Sequence, residues 1–206
     1  LLEFANNVKG PHENLSVLRS YFERQMEVLG VNVMLNTEAT ADIIAEASPD
    51  IVIAATGGVR DTLGLAETAG TKVVGIDDFM MANIAEEVVI VGSNVQAIDA
   101  AMYLLAQGKH VQVVTPNAAS AIGAGHSFWV KTFTQPNMKA LGVRFWPEAT
   151  VTAVNDGSVT VKTATGIEQE IACGTVVEAL DCLPNDNLST GLSCEVVTVG
   201  DAARPF

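Results

Sequence analysis

Aromatic residues are scarce, at 5% of 206, and basic residues are scarcer than acidic ones: 11 Lys and Arg stand against 24 Asp and Glu, a net charge of −13. A surface that acidic repels phosphate backbones and anionic headgroups, which excludes nucleic acid and membrane surfaces as partners. It leaves open a nucleotide held by backbone amides in a local pocket. There are only three cysteines, Cys173, Cys182 and Cys194, and no CxxC pair. That excludes a disulfide framework, a thioredoxin-like redox pair and a zinc knuckle. Free thiols fit a reducing cytoplasm, the expected location. No run of 18 apolar residues exists to span a membrane. The opening LLEFANNVKG has neither the basic start nor the shape of a signal peptide, and reads as cut from something longer. What is plentiful is apolar: 49% of residues, with 17% charged, the composition of a folded chain with a real core.

Leu15, Leu18, Phe22, Met26 and Leu29 recur at helical spacing, with Pro11 suited to the entry of this helix and Gly30 to its exit. Val31 to Leu35 reads as a short strand and Ala41 to Ala47 as a short helix. Ile51 to Ala55 is a continuous apolar run, the pattern of a buried parallel strand, stopped by Thr56-Gly57-Gly58. A second unit begins at Val88–Val91, turns at Gly92, continues as a helix to Gln107 and returns as a strand over Val111–Val114. This is one βαβ unit. A Gly-, Ala- and Ser-rich loop follows from Asn117 to Trp129, then a helix over Val130–Leu141 and strand character at Val143–Trp146. Three runs, Thr150–Val154, Ser158–Thr163 and Ile167–Ala172, alternate around turns, with Asp156-Gly157 a hairpin signal. They predict a small antiparallel insertion. Thr175–Leu180 reads as another buried-type strand, and Val196–Val199, a predicted parallel strand, leads to Gly200-Asp201. The predicted fold class is α/β, with Rossmann-like parallel sheets flanked by helices.

Chemistry concentrates in VVIVGSNVQAIDAA. Gly92 lets the chain turn out of its strand, and the amides of Ser93, Asn94 and Val95 then open a helix whose positive end suits a diphosphate. Asn94 stands where a second glycine gives close phosphate approach, and Ala97 at the third glycine position. The next strand ends in Thr115-Pro116-Asn117, neither the acid that holds a ribose diol nor the arginine that accepts a 2′-phosphate. NADH and NADPH are therefore not told apart. Two more glycine turns follow apolar strands, at Thr56-Gly57 and Gly200-Asp201. Ligands of open α/β sheets collect at such strand ends, and Asp201 offers an acceptor for a sugar or ribityl hydroxyl. His12, His110 and His126 have no metal spacing; His126 reads as a loop histidine, with lining of the nucleotide pocket mouth the alternative. Arg60 reads as a solvated side chain, with contact to a phosphate the alternative, and Phe128 and Trp129 read as apolar anchors for the next helix rather than ring-stacking groups. Asp77-Asp78 and Glu86-Glu87 read as solvated turns.

The order LRSYFERQMEVLGVNVMLNT, DIVIAATGGVR, VVIVGSNVQAIDAAMYLLAQGKHVQVVTP and VVTVGDAARP resembles a known family. It is similar to the C-terminal, pyridine-nucleotide-disulfide-oxidoreductase-like region of the large NADH:flavin oxidoreductases, the 2,4-dienoyl-CoA reductase and trimethylamine dehydrogenase type of the old yellow enzyme family. The resemblance covers nearly the whole chain. It implies a parent with an FMN barrel, a four-cysteine iron–sulfur (4Fe-4S) segment and two interleaved Rossmann-like domains. The first of these domains binds FAD or ADP, and the second, inserted into it, is of the NAD(P)H type. By this likeness Thr56, Gly57, Gly200 and Asp201 match the first nucleotide site. Gly92, Asn94 and Ala97 match the second, and Ser93, Val95 and Thr115 are further cofactor-binding candidates beside them. The implied division is 1–84 plus 185–206 for an incomplete FAD/ADP-type domain, and 85–184 for the NAD(P)-type domain.

The resemblance also marks departures. The barrel, the cysteine cluster and the first Rossmann strand have no counterpart, so the family's catalytic acid and iron ligands have no match here. Glu178-Ala179-Leu180-Asp181 stands where a second Ala-Thr-Gly turn is expected. The expected function is to hold NAD(P)H or FAD/ADP for electron transfer to a flavin in the barrel of the same parent, with no catalytic residue in this chain. Homo-oligomers are compatible with it. The competing reading is a non-catalytic structural or docking module with degenerate nucleotide sites. A disulfide reductase relative is disfavoured by the missing CxxC.

Overall fold

The computed structural model describes residues 15–188 and 192–205, except the side chains of Ser16 and Trp129. Pro11, His12 and the Trp129 side chain, all singled out above, therefore lie outside the described residues. In chain order the elements are α1 (Leu15–Val28), α2 (Ala41–Ala47), β1 (Ile51–Ala54), β2 (Gly58–Arg60), β3 (Lys72–Gly75), β4 (Glu87–Val91), α3 (Val95–Ala106) and β5 (His110–Val114). There follow α4 (Phe128–Ala140), β6 (Arg144–Trp146), β7 (Ala149–Asn155), β8 (Ser158–Thr163), β9 (Glu168–Ala172), β10 (Thr175–Glu178), β11 (Cys182–Pro184) and β12 (Glu195–Thr198). The chain divides into two compact units. Of the described residues, one unit holds Thr62–Leu180, and the other joins those from Leu15 to Asp61 with those from Asp181 onward.

The Thr62–Leu180 unit is built on a five-stranded sheet, order β3-β10-β4-β5-β6, parallel throughout. Strand side chains alternate between faces, and both faces of this sheet are covered. Val88, Ile90, Val111, Val113 and Val177 pack on one face with Ala97, Ile98, Ala101 and Leu104 of α3. Val89, Val91, Val114 and Val176 pack on the other with Val151, Val159, Val161 and Ile171. Those last residues belong to an antiparallel sheet, β7-β8-β9, which is the expected insertion. Each fully buried Val or Ile contributes about 1.5–3 kcal/mol. Ala97, Ala100 and Ala101 of α3, completely buried, let the helix lie close on the sheet.

Residues 62–84 lie in this unit, whereas the sequence-based division grouped them with the chain ends. The reason is β3, a strand the sequence reading passed over: it hydrogen-bonds along β10. Likewise Asp181–Pro184 leaves this unit, because β11 pairs antiparallel with β2. Glu86-Glu87 is not simply a solvated turn: Glu87 begins β4, and its carboxylate lies 2.7 Å from His110 Nδ1.

In the other unit β1 and β12 pair in parallel, Ile51 opposite Glu195 through Ala54 opposite Thr198. Thr40 caps α2, its hydroxyl accepting from Ile43 N. Two expectations fail here. Val31–Leu35 forms no strand: its backbone finds no ladder neighbour among the described residues, and it runs into a turn where Asn36 takes φ +54°. The Ile51–Ala54 strand is parallel but buried only at Ala54, with Ile51 54% and Ile53 68% exposed. The apolar side of α1 is open as well, Phe22 being half-exposed.

Candidate functional site: three glycine turns

Gly92 leaves β4 with its amide bonded to Val114 O of the neighbouring strand. Asn94 then caps α3. Its backbone is ordinary extended chain, φ −73°, so the residue is not there for a left-handed angle. Its carboxamide oxygen accepts from Ala97 N at 3.0 Å, and its nitrogen donates to Ala179 O at 3.0 Å. One amide of the helix N-terminus, the feature that attracts a diphosphate, already has an internal acceptor. Ala97 is completely buried against the core.

The loop after β5 lies against the same turn. Gly123 N donates to Ser93 O at 2.6 Å, and Asn117 Nδ2 donates to Ser93 Oγ at 2.9 Å. Ala124 and Asn94 form a parallel bridge. A side-chain carbon on Gly125 would lie 2.7 Å from Val95 Cγ2, so loop backbone and Val95 are in contact. Thr115 is fully buried and structural: its hydroxyl accepts from Asn117 N, and its amide donates to Trp146 O. His126 is turned inward, with Nε2 3.8 Å from Asp99 Oδ1. Phe128, at the start of α4, is 72% exposed rather than an apolar anchor. The structure therefore brings Gly92, Ser93, Asn94, Val95, Ala97 and Thr115 together, in a cluster that closes on itself.

The other two turns differ. Gly57 follows β1 and Gly200 follows β12, so both sit at the carboxyl ends of adjacent parallel strands. Each has a positive φ, +73° and +62°, and a Cβ added at either would meet nothing within 4 Å. Backbone there is open to approach. Thr56 donates its hydroxyl to Asn185 O, and Asn185 N donates to Gly57 O at 3.2 Å, so the turn is fastened to the end of β11. Asp201 sits in the first turn of a short 3-10 segment, Gly200–Ala202, half-buried. Asn185 and Asn117 were missed from the sequence because each acts through a partner more than 20 residues away. Arg60 lies in β2, its backbone opposite Cys182.

Glu178, where a second Ala-Thr-Gly turn was expected, is a clamp. Its carboxylate accepts from Thr62 Oγ1 and from Leu63 N, both at 3.0 Å. The resolved pKa shifts lie outside all three turns. The Glu87 carboxylate raises His110 above 6.5, and burial pushes the Cys173 thiol up to about 11. Among the described residues no group of His, Cys, Asp and Glu is arranged for a metal ion, Cys173 and Cys194 are free thiols, and no helix is long and apolar enough to cross a membrane.

Known proteins resemble this chain in sequence and in fold. Cinnamate reductase of Clostridium sporogenes is 33% identical over 99 residues, which are 47% of this chain and 15% of that protein. NADH oxidase of Thermoanaerobacter brockii is 33% identical over 102 residues, 47% of this chain and 16% of that protein. A 2-naphthoyl-CoA reductase, solved with 2-naphthoyl-CoA, superposes on 98% of this chain with a TM-score of 0.80 at 28% identity; the match covers 31% of that chain. The chain thus spans less than a third of the length of these relatives. The family described as pyridine nucleotide-disulphide oxidoreductase matches residues 49–179. That stretch holds β1 with its Thr56-Gly57 turn, the whole parallel sheet and the β4–α3 turn, and by it this chain belongs to the pyridine nucleotide-disulphide oxidoreductase family.

Proposed function

We propose that the chain is the nucleotide-binding portion of a flavin-dependent NAD(P)H oxidoreductase, of the NADH:flavin oxidoreductase type within the old yellow enzyme family. An adenosine nucleotide, FAD or ADP, lies against Thr56-Gly57 and Gly200-Asp201. The observation that carries this reading is the open backbone at Gly57 and Gly200, each just past the carboxyl end of one of two paired parallel strands. Ligands of open parallel sheets gather at that edge, where strand-end backbone and a helical turn meet a phosphate. The residues fit such a group: two unobstructed glycines and one carboxylate, Asp201, for a hydroxyl. The cofactor supplies the redox chemistry, a hydride passing from NAD(P)H to a flavin, while this chain supplies orientation.

The names of the relatives, a cinnamate reductase, an NADH oxidase and a 2-naphthoyl-CoA reductase, support a reductase as parent. An FMN barrel and a 4Fe-4S segment belong, in this reading, to that parent. The exposed Ile51, Ile53 and Phe22 support contact with another part of it or with a second copy. Free thiols and an acidic surface support a cytoplasmic setting. The second reading, a structural or docking module, is favoured by one observation for the Thr62–Leu180 unit alone: Asn94 fills its own helix end.

Calorimetric titration of ADP and FAD into the folded chain tests the proposal. Saturable 1:1 binding is expected, weakened about tenfold in Asp201→Ala, the loss of roughly one charge-assisted hydrogen bond. No heat with either nucleotide in a folded sample overturns it.

A further inference from the structure

The turn with the best dinucleotide sequence signature is also the one with least room. A diphosphate at a βα turn needs two things: unpaired amides at the helix N-terminus and backbone bare enough to approach. At Gly92–Ala97 both are compromised from three directions. The Asn94 carboxamide takes the Ala97 amide at 3.0 Å. Ala179 crowds one side, since its carbonyl oxygen accepts from Asn94 Nδ2 and lies 2.2 Å from where a Cβ on Gly92 would be. The absent side chain of Gly92 thus makes way for β10, not for a ligand. On another side Gly123 and Asn117 bond Ser93, and Ala124 bridges to Asn94. Beyond the next strand no acid or arginine awaits a ribose: Thr115 is buried and Asn117 is committed to Ser93.

We infer that the β4–α3 turn is a filled site, in which the Asn94 carboxamide and the 117–124 loop occupy the place of a diphosphate, so that the Thr62–Leu180 unit takes no NADH or NADPH there. The contrast with Gly57 and Gly200, where added side chains meet nothing within 4 Å, confines the nucleotide of this chain to the other unit. That second half rests on the function proposed above; the first half stands on the geometry of Asn94 alone. The carboxamide is well suited to the part. It is neutral, it offers an acceptor to the helix amide and a donor to Ala179 O, and it satisfies both without an ion. The unit then serves as a rigid support with the form of a dinucleotide domain.

The test uses the 206-residue chain with labelled backbone amides. NADH, NADPH and ADP are each titrated to millimolar concentration. The amides of Gly92, Ser93, Asn94, Val95 and Ala97 are expected to stay in place with all three, while ADP moves Gly57 and Gly200. Saturable shifts across Gly92–Ala97 with NADH or NADPH overturn the inference. Silence at Gly57 and Gly200 overturns the proposed function instead and leaves the filled turn standing. Hydrogen exchange supplies an independent readout. In Asn94→Ala the Ala97 amide is expected to exchange several-fold faster, and in Asn94→Ser, which keeps an acceptor, to remain near wild type. Unchanged protection of Ala97 in a folded Asn94→Ala overturns the claim that the carboxamide fills the site. Asn94→Ser decides the matter by itself if the alanine variant does not fold: there, unprotected Ala97 in a folded protein contradicts a side-chain oxygen as its acceptor.

Discussion

A carbon placed on Gly92 would stand 2.2 Å from the carbonyl oxygen of Ala179, and 2.9 Å from its carbonyl carbon. The end of β10 and the exit of β4 meet there with no room for a side chain, and the φ of Gly92, +143°, disfavours one as well. Gly92→Ala is expected to lower stability by about 2–4 kcal/mol, overpacking and backbone strain together. Urea unfolding of the variant checks this; a loss under about 0.5 kcal/mol would show that the two strands separate freely.

Glu178 holds the entry of its unit by accepting from Leu63 N and Thr62 Oγ1. Glu178→Leu removes both acceptors and leaves the Leu63 amide to water. A loss of about 1–3 kcal/mol is expected, with faster proteolytic cleavage near residues 62–64. Limited proteolysis with cut-site mapping provides the check.

His110 and Glu87 lie at the starts of neighbouring strands, Nδ1 and Oε1 2.7 Å apart. The hydrogen bond and the charge of Glu87 raise the imidazole above 6.5, so the folded state favours the protonated ring. Its contribution to stability is present in full below pH 6.5 and fades as pH rises through the raised value. In an NMR titration the His110 midpoint is expected above 6.5 in the wild type and lower in Glu87→Gln.

Cys173 is buried, donates to Thr175 O at 3.1 Å, and has its thiol raised to about 11 by burial. At pH 8 it is protonated and shielded, whereas Cys182 and Cys194 are half-buried. Iodoacetamide at pH 8 is expected to label Cys182 and Cys194 first, and Cys173 only on unfolding. Mass mapping of a time course would expose a reactive Cys173 directly.

Local patterns made most of the Thr62–Leu180 unit readable. Val88–Val91, Val111–Val114 and Thr175–Glu178 are apolar on both faces, the signature of a parallel strand covered twice, and Asp156-Gly157 set the hairpin between β7 and β8. Lys72–Gly75 escaped notice because four residues carry too little pattern, and only the ladder with β10 makes them a strand. Val31–Leu35 shows the converse: five residues with strand composition and no described neighbour to pair with.

The candidate sites divide in the same way. Gly92, Asn94 and Ala97, and Gly57 and Gly200 with them, were visible as glycine-type turns after apolar strands, since backbone freedom and strand composition are properties of the residues themselves. Whether each turn is open or filled was not visible. That depended on Ala179, Asn117 and Gly123 reaching Ser93 and Asn94 from elsewhere in the chain, and on the Cβ side of Gly57 and Gly200 meeting nothing within 4 Å. Sequence determined where the backbone is able to turn, because φ preference and hydrophobic alternation are local; tertiary structure decided which turn has space for a ligand, because space is set by what long-range packing brings to it.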